Sequence, residues 1–248
     1  MAEPEHRRRS PLWHRALGVA AAALLVGGAS ATAVAVASQK HAPQPVRSAA
    51  GTTGPVRRSN PPAANRSAAA PVIVGPTLPR SQPVSVAIPA IGVVSNLQDL
   101  GLGATGAIAV PQPGPSYNEA AWYDLSPTPG QVGPSIIEGH IDSAATGPSV
   151  FFKLGALAPG DTVDVTLADG TVGVFSVTGV RQYPKTAFPT NVVYGNTDFA
   201  ALHLITCSGT FDYTTGHYLS NTVVFASLTS SHPASPATQS TVPGTGGA

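Results

Sequence analysis

The sequence predicts an all-β fold with short helical turns, most simply a closed or nearly closed β-barrel, and three observations carry that expectation. From Ser81 to Leu228 the chain breaks into short apolar runs with period-two alternation, separated by Gly, Pro, Asn and Asp. The 248 residues include 26 Gly and 25 Pro and only 10% are charged, a turn-rich composition that excludes a long-helix or coiled-coil protein. Trp13 is the one aromatic residue before Tyr117, so a large core has to come from the second half.

Along the chain, residues 1–15 form a basic segment with Arg7, Arg8, Arg9 and Arg15. The 22 uncharged residues from Ala16 to Ala37 are long enough to cross a bilayer as a helix. A transmembrane signal anchor over 16–37 is expected; a cleaved signal peptide ending near Ala33-Val34-Ala35 is the other reading. Either way the basic flank stays inside and the rest is exported, which sets an extracytoplasmic domain on a single-pass membrane protein. Residues 38–80 contain eight prolines and no aromatic, a composition that cannot bury enough apolar surface to offset the entropy of ordering, so an extended disordered spacer is expected.

Candidate strands are Val84–Ile88, Ala107–Val110, Ser135–Glu138, Thr162–Thr166, Val172–Thr178, Leu202–Cys207 and Thr222–Ser227. Asp169-Gly170 between two of them is a hairpin signal, and Phe151 to Leu157 has room for one helical turn or a short helix. Seven or more closely spaced strands favour barrel closure. Residues 229–248, rich in Ser, Pro, Thr and Gly, are expected to be a disordered tail.

The overall charge of +1 hides a division. Ten basic and two acidic residues lie at or before Arg80, whereas from Ser81 onward Lys153, Arg181 and Lys185 face ten acids. A folded part with a net charge of −7 is not a nucleic-acid binder. One cysteine excludes an intramolecular disulfide and any Cys-cluster metal site.

That cysteine, Cys207, ends the strand-like run Leu202-His203-Leu204-Ile205-Thr206 and precedes the turn residues Ser208-Gly209. A lone cysteine is ordinarily a buried structural residue, but an exported unpaired thiol at a strand end is a liability unless it is used. A nucleophilic thiol needs a nearby base or cation to raise its thiolate fraction. His140 is the best partner: Ile136-Ile137 lead into Gly139-His140, so the imidazole falls at the end of a buried strand. A satisfied loop histidine is the bland alternative. His140, His203 and Cys207 lack compact ligand spacing, and neither a metal nor another cofactor is expected.

Leu204-Ile205-Thr206-Cys207, preceded 67 residues earlier by Gly139-His140-Ile141-Asp142, resembles the sortase family of cysteine transpeptidases. The resemblance spans roughly Val84 to Leu228 and includes IPAIGV, PGQVGPSIIEGHIDS, VFFKLGALAPGD, PKTAFPT and VVYG in order. It is most like the actinobacterial class F group, with class E as its neighbour. The resemblance implies an eight-stranded barrel over 81–228 in which Cys207 attacks a carbonyl in an LPxTG-like sorting signal and His140 protonates the leaving amine. The thioacyl enzyme would then pass its acyl group to an amine of a cell-wall precursor or pilin-like subunit. A catalytically weak barrel that binds sorting-signal peptides, and a hydrolase with water as acceptor, are the alternatives.

One residue departs from the family. Sortases usually carry an Arg on the strand after the cysteine, and this chain has none after Arg181. With Thr215-Gly216 as the alignable turn, the usual Arg position falls near Asn221, which donates a hydrogen bond without charge. Arg181 is a second candidate oxyanion donor, with a plain salt bridge as its bland alternative. His203 shares a strand face with Cys207 and fills a slot where, by the same resemblance, many sortases have Arg, so a groove position is expected for it. His217 falls in a polar turn.

Overall fold

The computed structural model describes residues 42–45 and 72–235. Eight strands close a barrel, and a two-stranded ribbon sits apart. In chain order they are β1 (Pro83–Ile88), β2 (Val93–Leu100), β3 (Ala120–Tyr123), β4 (Gly133–Glu138), β5 (Asp142–Ser143), β6 (Gly147–Pro148), β7 (Thr162–Leu167), β8 (Thr171–Pro184), β9 (Ala200–Asp212) and β10 (His217–Pro233). Around the barrel the order is β1-β2-β3-β4-β9-β10-β8-β7, with β7 returning to β1; β5 and β6 form the ribbon. β2–β3 and β4–β9 are parallel, and the other barrel pairs are antiparallel.

Alternation explains the core. Val163, Val165 and Leu167 of β7, Phe175 and Val177 of β8, Leu202 and Leu204 of β9, and Val224 and Ala226 of β10 point into one buried cluster with Trp122, Phe151 and Leu154. Removing each such large side chain from water contributes about 1.5–3 kcal/mol. The hairpin signal at Asp169-Gly170 is realised as a three-residue turn between β7 and β8. Gly170 takes φ 82°, a left-handed conformation that a side chain disfavours, and its N–H reaches Leu167 O at 3.0 Å.

Several expectations need correction. Residues 107–110 form no strand; Ile108 makes a single bridge to Leu102 within a Gly- and Pro-rich connection whose side chains find no face to bury. β2 and β3 lie where the sequence pattern predicts no strand. Of the one helical turn or short helix expected at 151–157, the turn is what forms, as a 3-10 turn at Leu154–Ala156. β10 continues to Pro233, so the tail does not begin at 229: Ser230, Ser231, His232 and Pro233 pair with Val174, Gly173, Val172 and Thr171.

The spacer boundary also shifts. Leu78 packs on the core and donates its N–H to Gly130 O at 2.8 Å, and Val74 N–H reaches Asp198 O at 2.8 Å, so attachment begins before Ser81. Gln182 Nε2 donates to Gln44 Oε1 at 2.7 Å. The expected membrane segment, 16–37, lies outside the described residues; among those described, no helix is long and apolar enough to cross a membrane.

Candidate active site

β4 and β9 run side by side in parallel, pairing Ile136 with His203, Ile137 with Leu204 and Glu138 with Ile205. The pairing continues past the end of β4, since Gly139 N–H donates to Ile205 O at 3.2 Å and Thr206 Oγ1 donates to Gly139 O at 2.7 Å. One residue further, the register sets His140 beside Cys207. Alternation puts Ile136, Glu138 and His140 on the same face as His203, Ile205 and Cys207. Asn221 of β10 stands opposite Cys207, and Tyr183 of β8 stands opposite Asn221. Ile136, Ile205, Val223 and Val193 make the apolar floor of this face, with Tyr123, Tyr183, Phe188, Tyr194 and Phe225 packed on it.

Gly139 is required by close approach, because a Cβ there would lie 2.7 Å from both Phe151 Cδ2 and Val150 Cγ1. Phe151 in turn donates its N–H to His140 O at 3.0 Å. Core packing thus fixes the backbone on which the imidazole is mounted.

The ring itself is held by the long β2–β3 connection. His140 Nε2 lies 2.8 Å from Pro111 O, and a carbonyl only accepts, so Nε2 carries a proton and Nδ1 is left as the exchanging nitrogen. Tyr117 stacks on the imidazole, with ring centres 4.2 Å apart and planes 9° from parallel. Tyr117 Oη donates to Asp142 O at 3.2 Å, and Tyr218 of β10 donates to Asp142 Oδ2. These bonds tie the turn after His140 to the strand that carries Asn221.

Cys207 is partly exposed and not bonded to another cysteine. Lys185, in the 3-10 turn that follows β8, places Nζ 3.6 Å from Cys207 Sγ and donates to it. The Tyr218 phenol is pushed upward, first by burial and then by Asp142, with Cys207 adding to the effect. Glu138 is the half-buried acid of this face: desolvation raises its carboxyl to about 7. Burial first, and then the charge of Glu138, push the Tyr194 phenol upward.

Of the residues singled out in the sequence, Cys207 and Asn221 are paired across β9 and β10, and His140 lies two residues past the end of β4, the other neighbour of β9. Arg181 is opposite Val223, which is opposite Ile205, so it sits one alternation step from Cys207; its Nη1 donates to Val180 O at 3.2 Å. His203 shares the face, but its ring is buried rather than open to a groove. Its Nδ1 donates to Val193 O at 2.7 Å, in the short helix α1 (Thr190–Val193), and Phe225 meets it edge-on at 4.7 Å. Burial holds this imidazole below the usual range, so it serves as a neutral anchor. His217 begins β10 and is exposed. Sequence reasoning misses Lys185; the one signal for it is that it is among three basic residues after Arg80.

Comparison with known proteins places this geometry in a family. The family model described as the Sortase domain matches residues 86–229, more than half of the chain. No curated protein matches. Among solved structures, sortase A of Listeria monocytogenes is 16% identical with a TM-score of 0.46, the match covering 63% of this chain and 92% of that one. Sortase E1 of Streptomyces coelicolor gives 16% and 0.46, covering 62% and 91%. A sortase of Actinomyces oris gives 20% and 0.44, covering 68% and 90%. The extent of the domain match decides the assignment: this chain belongs to the sortase family.

Proposed function

We propose that the protein is a membrane-anchored cysteine transpeptidase of the class F type, acting on LPxTG-like sorting signals outside the cytoplasmic membrane. The observation that supports this reading is the parallel β4–β9 register, which runs the chain end leading into His140 alongside the strand end that carries Cys207. The charge step at Arg80 and the uncharged run 16–37 support the anchor and its orientation. The order of the short motifs supports the class.

The chemistry follows from the pair. The Cys207 thiolate attacks the scissile carbonyl, and the resulting tetrahedral adduct collapses as protonated His140 gives its proton to the leaving amine. The acyl group remains on sulfur as a thioester. An acceptor amine then attacks, His140 takes its proton, and the C–S bond breaks to restore the thiolate. Splitting one difficult exchange into two acyl transfers is what a covalent nucleophile provides. Tyr117 and Pro111 keep the imidazole in place through both halves.

The test is mass-spectrometric identification of acyl donor and acceptor from peptide libraries, together with labelling of the purified protein by a vinyl sulfone peptide. Cys207→Ala is expected to abolish labelling, and His140→Ala to lose about 10²–10⁴-fold in turnover while still folding. Near-normal transpeptidation by Cys207→Ala would end this reading. External protease on intact protoplasts should release a fragment that begins within residues 38–80; protection there would overturn the orientation. The uncharged Asn221 opposite Cys207 favours a second reading, a weak barrel that only binds sorting signals. Peptide binding without vinyl sulfone labelling would establish it.

A further inference from the structure

We propose that Lys185 is a catalytic residue of this site, supplying the cation that the family places on the strand after the cysteine. The inference rests on the transpeptidase reading. Its evidence is the 3.6 Å contact from Lys185 Nζ to Cys207 Sγ, made from a different element, the turn after β8.

The strand order makes this substitution possible. β8 lies beyond β10 from β9, so the end of β8 comes down on the same face as Cys207, with Tyr183 opposite Asn221 and Asn221 opposite Cys207. Two residues past Tyr183 the chain turns, and a lysine there spans the intervening strand with its long stem. Asn221 occupies the position opposite the thiol, but its amide brings no charge. Arg181 has a charge, but it is opposite Val223 and one step further from Sγ.

The negative charge migrates during acylation, and the ammonium can migrate with it. In the resting enzyme the ammonium donates to Cys207 Sγ. When sulfur bonds to the substrate carbon, the carbonyl π pair moves onto oxygen, and the negative charge is then one bond beyond the new C–S bond. Lys185 has three donors on a flexible stem and follows the charge from sulfur to oxygen. When the C–N bond breaks, the amine leaves with the proton of His140 and the carbonyl re-forms. Deacylation runs the same path in reverse, with the oxyanion again meeting Lys185 before thiolate returns.

Lys185→Met keeps the stem and removes the charge; Lys185→Arg keeps the charge with a different shape. Lys185 is exposed, and both variants are expected to melt with the wild type. Two rates are measured on the whole extracytoplasmic domain: alkylation of Cys207 by iodoacetamide, which needs no sorting signal, and acylation by a sorting-signal peptide. For Lys185→Met, alkylation is expected to slow several-fold and acylation by about 10²–10³-fold, the loss typical of one missing oxyanion donor. Lys185→Arg is expected to recover most of the alkylation rate and part of the acylation rate. Unchanged alkylation and acylation in Lys185→Met would overturn the inference while leaving the transpeptidase reading intact. Slowed alkylation with unchanged acylation would overturn the oxyanion role. If the wild type is acylated by no peptide, the transpeptidase reading fails; the alkylation rates then still decide whether Lys185 is paired with the thiolate.

Discussion

Glu138 stands two residues before His140 on the same face of β4, and burial raises its carboxyl from the ordinary 4.5 to about 7. A raised carboxyl means that between about pH 4.5 and 7 the folded chain keeps a proton the unfolded chain has lost. Stability therefore falls as pH rises through that window and is lowest, as far as this group is concerned, above it. Each tenfold change in proton affinity between the folded and unfolded chain is worth about 1.4 kcal/mol, so up to about 3 kcal/mol is at stake. Glu138→Gln is expected to flatten the dependence, seen as urea midpoints at pH 5 and 8 that converge relative to wild type. Equal slopes for both proteins would show that the carboxyl is hydrated. At this scale Cys207 and His140, the candidate nucleophile and imidazole, are legible as strand-end residues because one cysteine and one Gly-His pair end strand-like runs. Lys185 is not, since its contact depends on β8 and β9 flanking β10, and period-two patterns within a strand say nothing of which strands are neighbours. His203 is legible as to face, but not as covered by α1.

At the scale of elements, the strands legible in the sequence are those with clean alternation over a buried face, such as Thr162–Leu167 with Val163, Val165 and Leu167 inside. β2, VVSNLQDL, buries only Ser95 fully and has polar residues along both faces, so it carries no strong period. β3 is four residues long, too short to show one. Both are held instead by buried serines. Ser95 Oγ accepts from Ala120 N–H at 2.9 Å, and Ser126 Oγ accepts from Trp122 Nε1 and Ile136 N–H, each at 3.1 Å, while donating to Tyr123 O at 2.6 Å. Ser126→Ala strands two buried donors at once, and is expected to destabilise by about 1–3 kcal/mol in urea unfolding. A change below about 0.5 kcal/mol, the lower end for one hydrogen bond, would mean that water replaces the hydroxyl. Because β3 borders the strand that presents His140, the same variant should lose turnover only as far as it unfolds.

Across the whole molecule, the barrel is fastened by its two longest strands, β8 of 14 residues and β10 of 17, which bridge the face of Cys207 at one end and the β7–β8 hairpin at the other. The far end of β10 is illegible because residues 229–233, Thr-Ser-Ser-His-Pro, are exposed and look like linker; what orders them is backbone pairing, which leaves no mark in side-chain chemistry. Ser230 to Pro233 pair with Val174 to Thr171, and Ala234 N–H closes on Gly170 O at 2.7 Å. The test is a pair of C-terminal truncations of the protein. Ending after Ser235 removes none of these bonds and should leave the melting point unchanged. Ending after Leu228 removes several, each worth about 0.5–1.5 kcal/mol, for a total of about 2–4 kcal/mol. For a domain of this size that is a fall of about 5–10 °C. Cys207 lies at the opposite end of the β8–β10 ladder, across from Asn221, so at temperatures where the shorter protein is still folded, the rate of Cys207 alkylation should match that of the longer one. Coincident melts would show that this segment only decorates the barrel. A change in alkylation below the melt would instead show that its pairing is transmitted along β10 to Asn221 and Cys207.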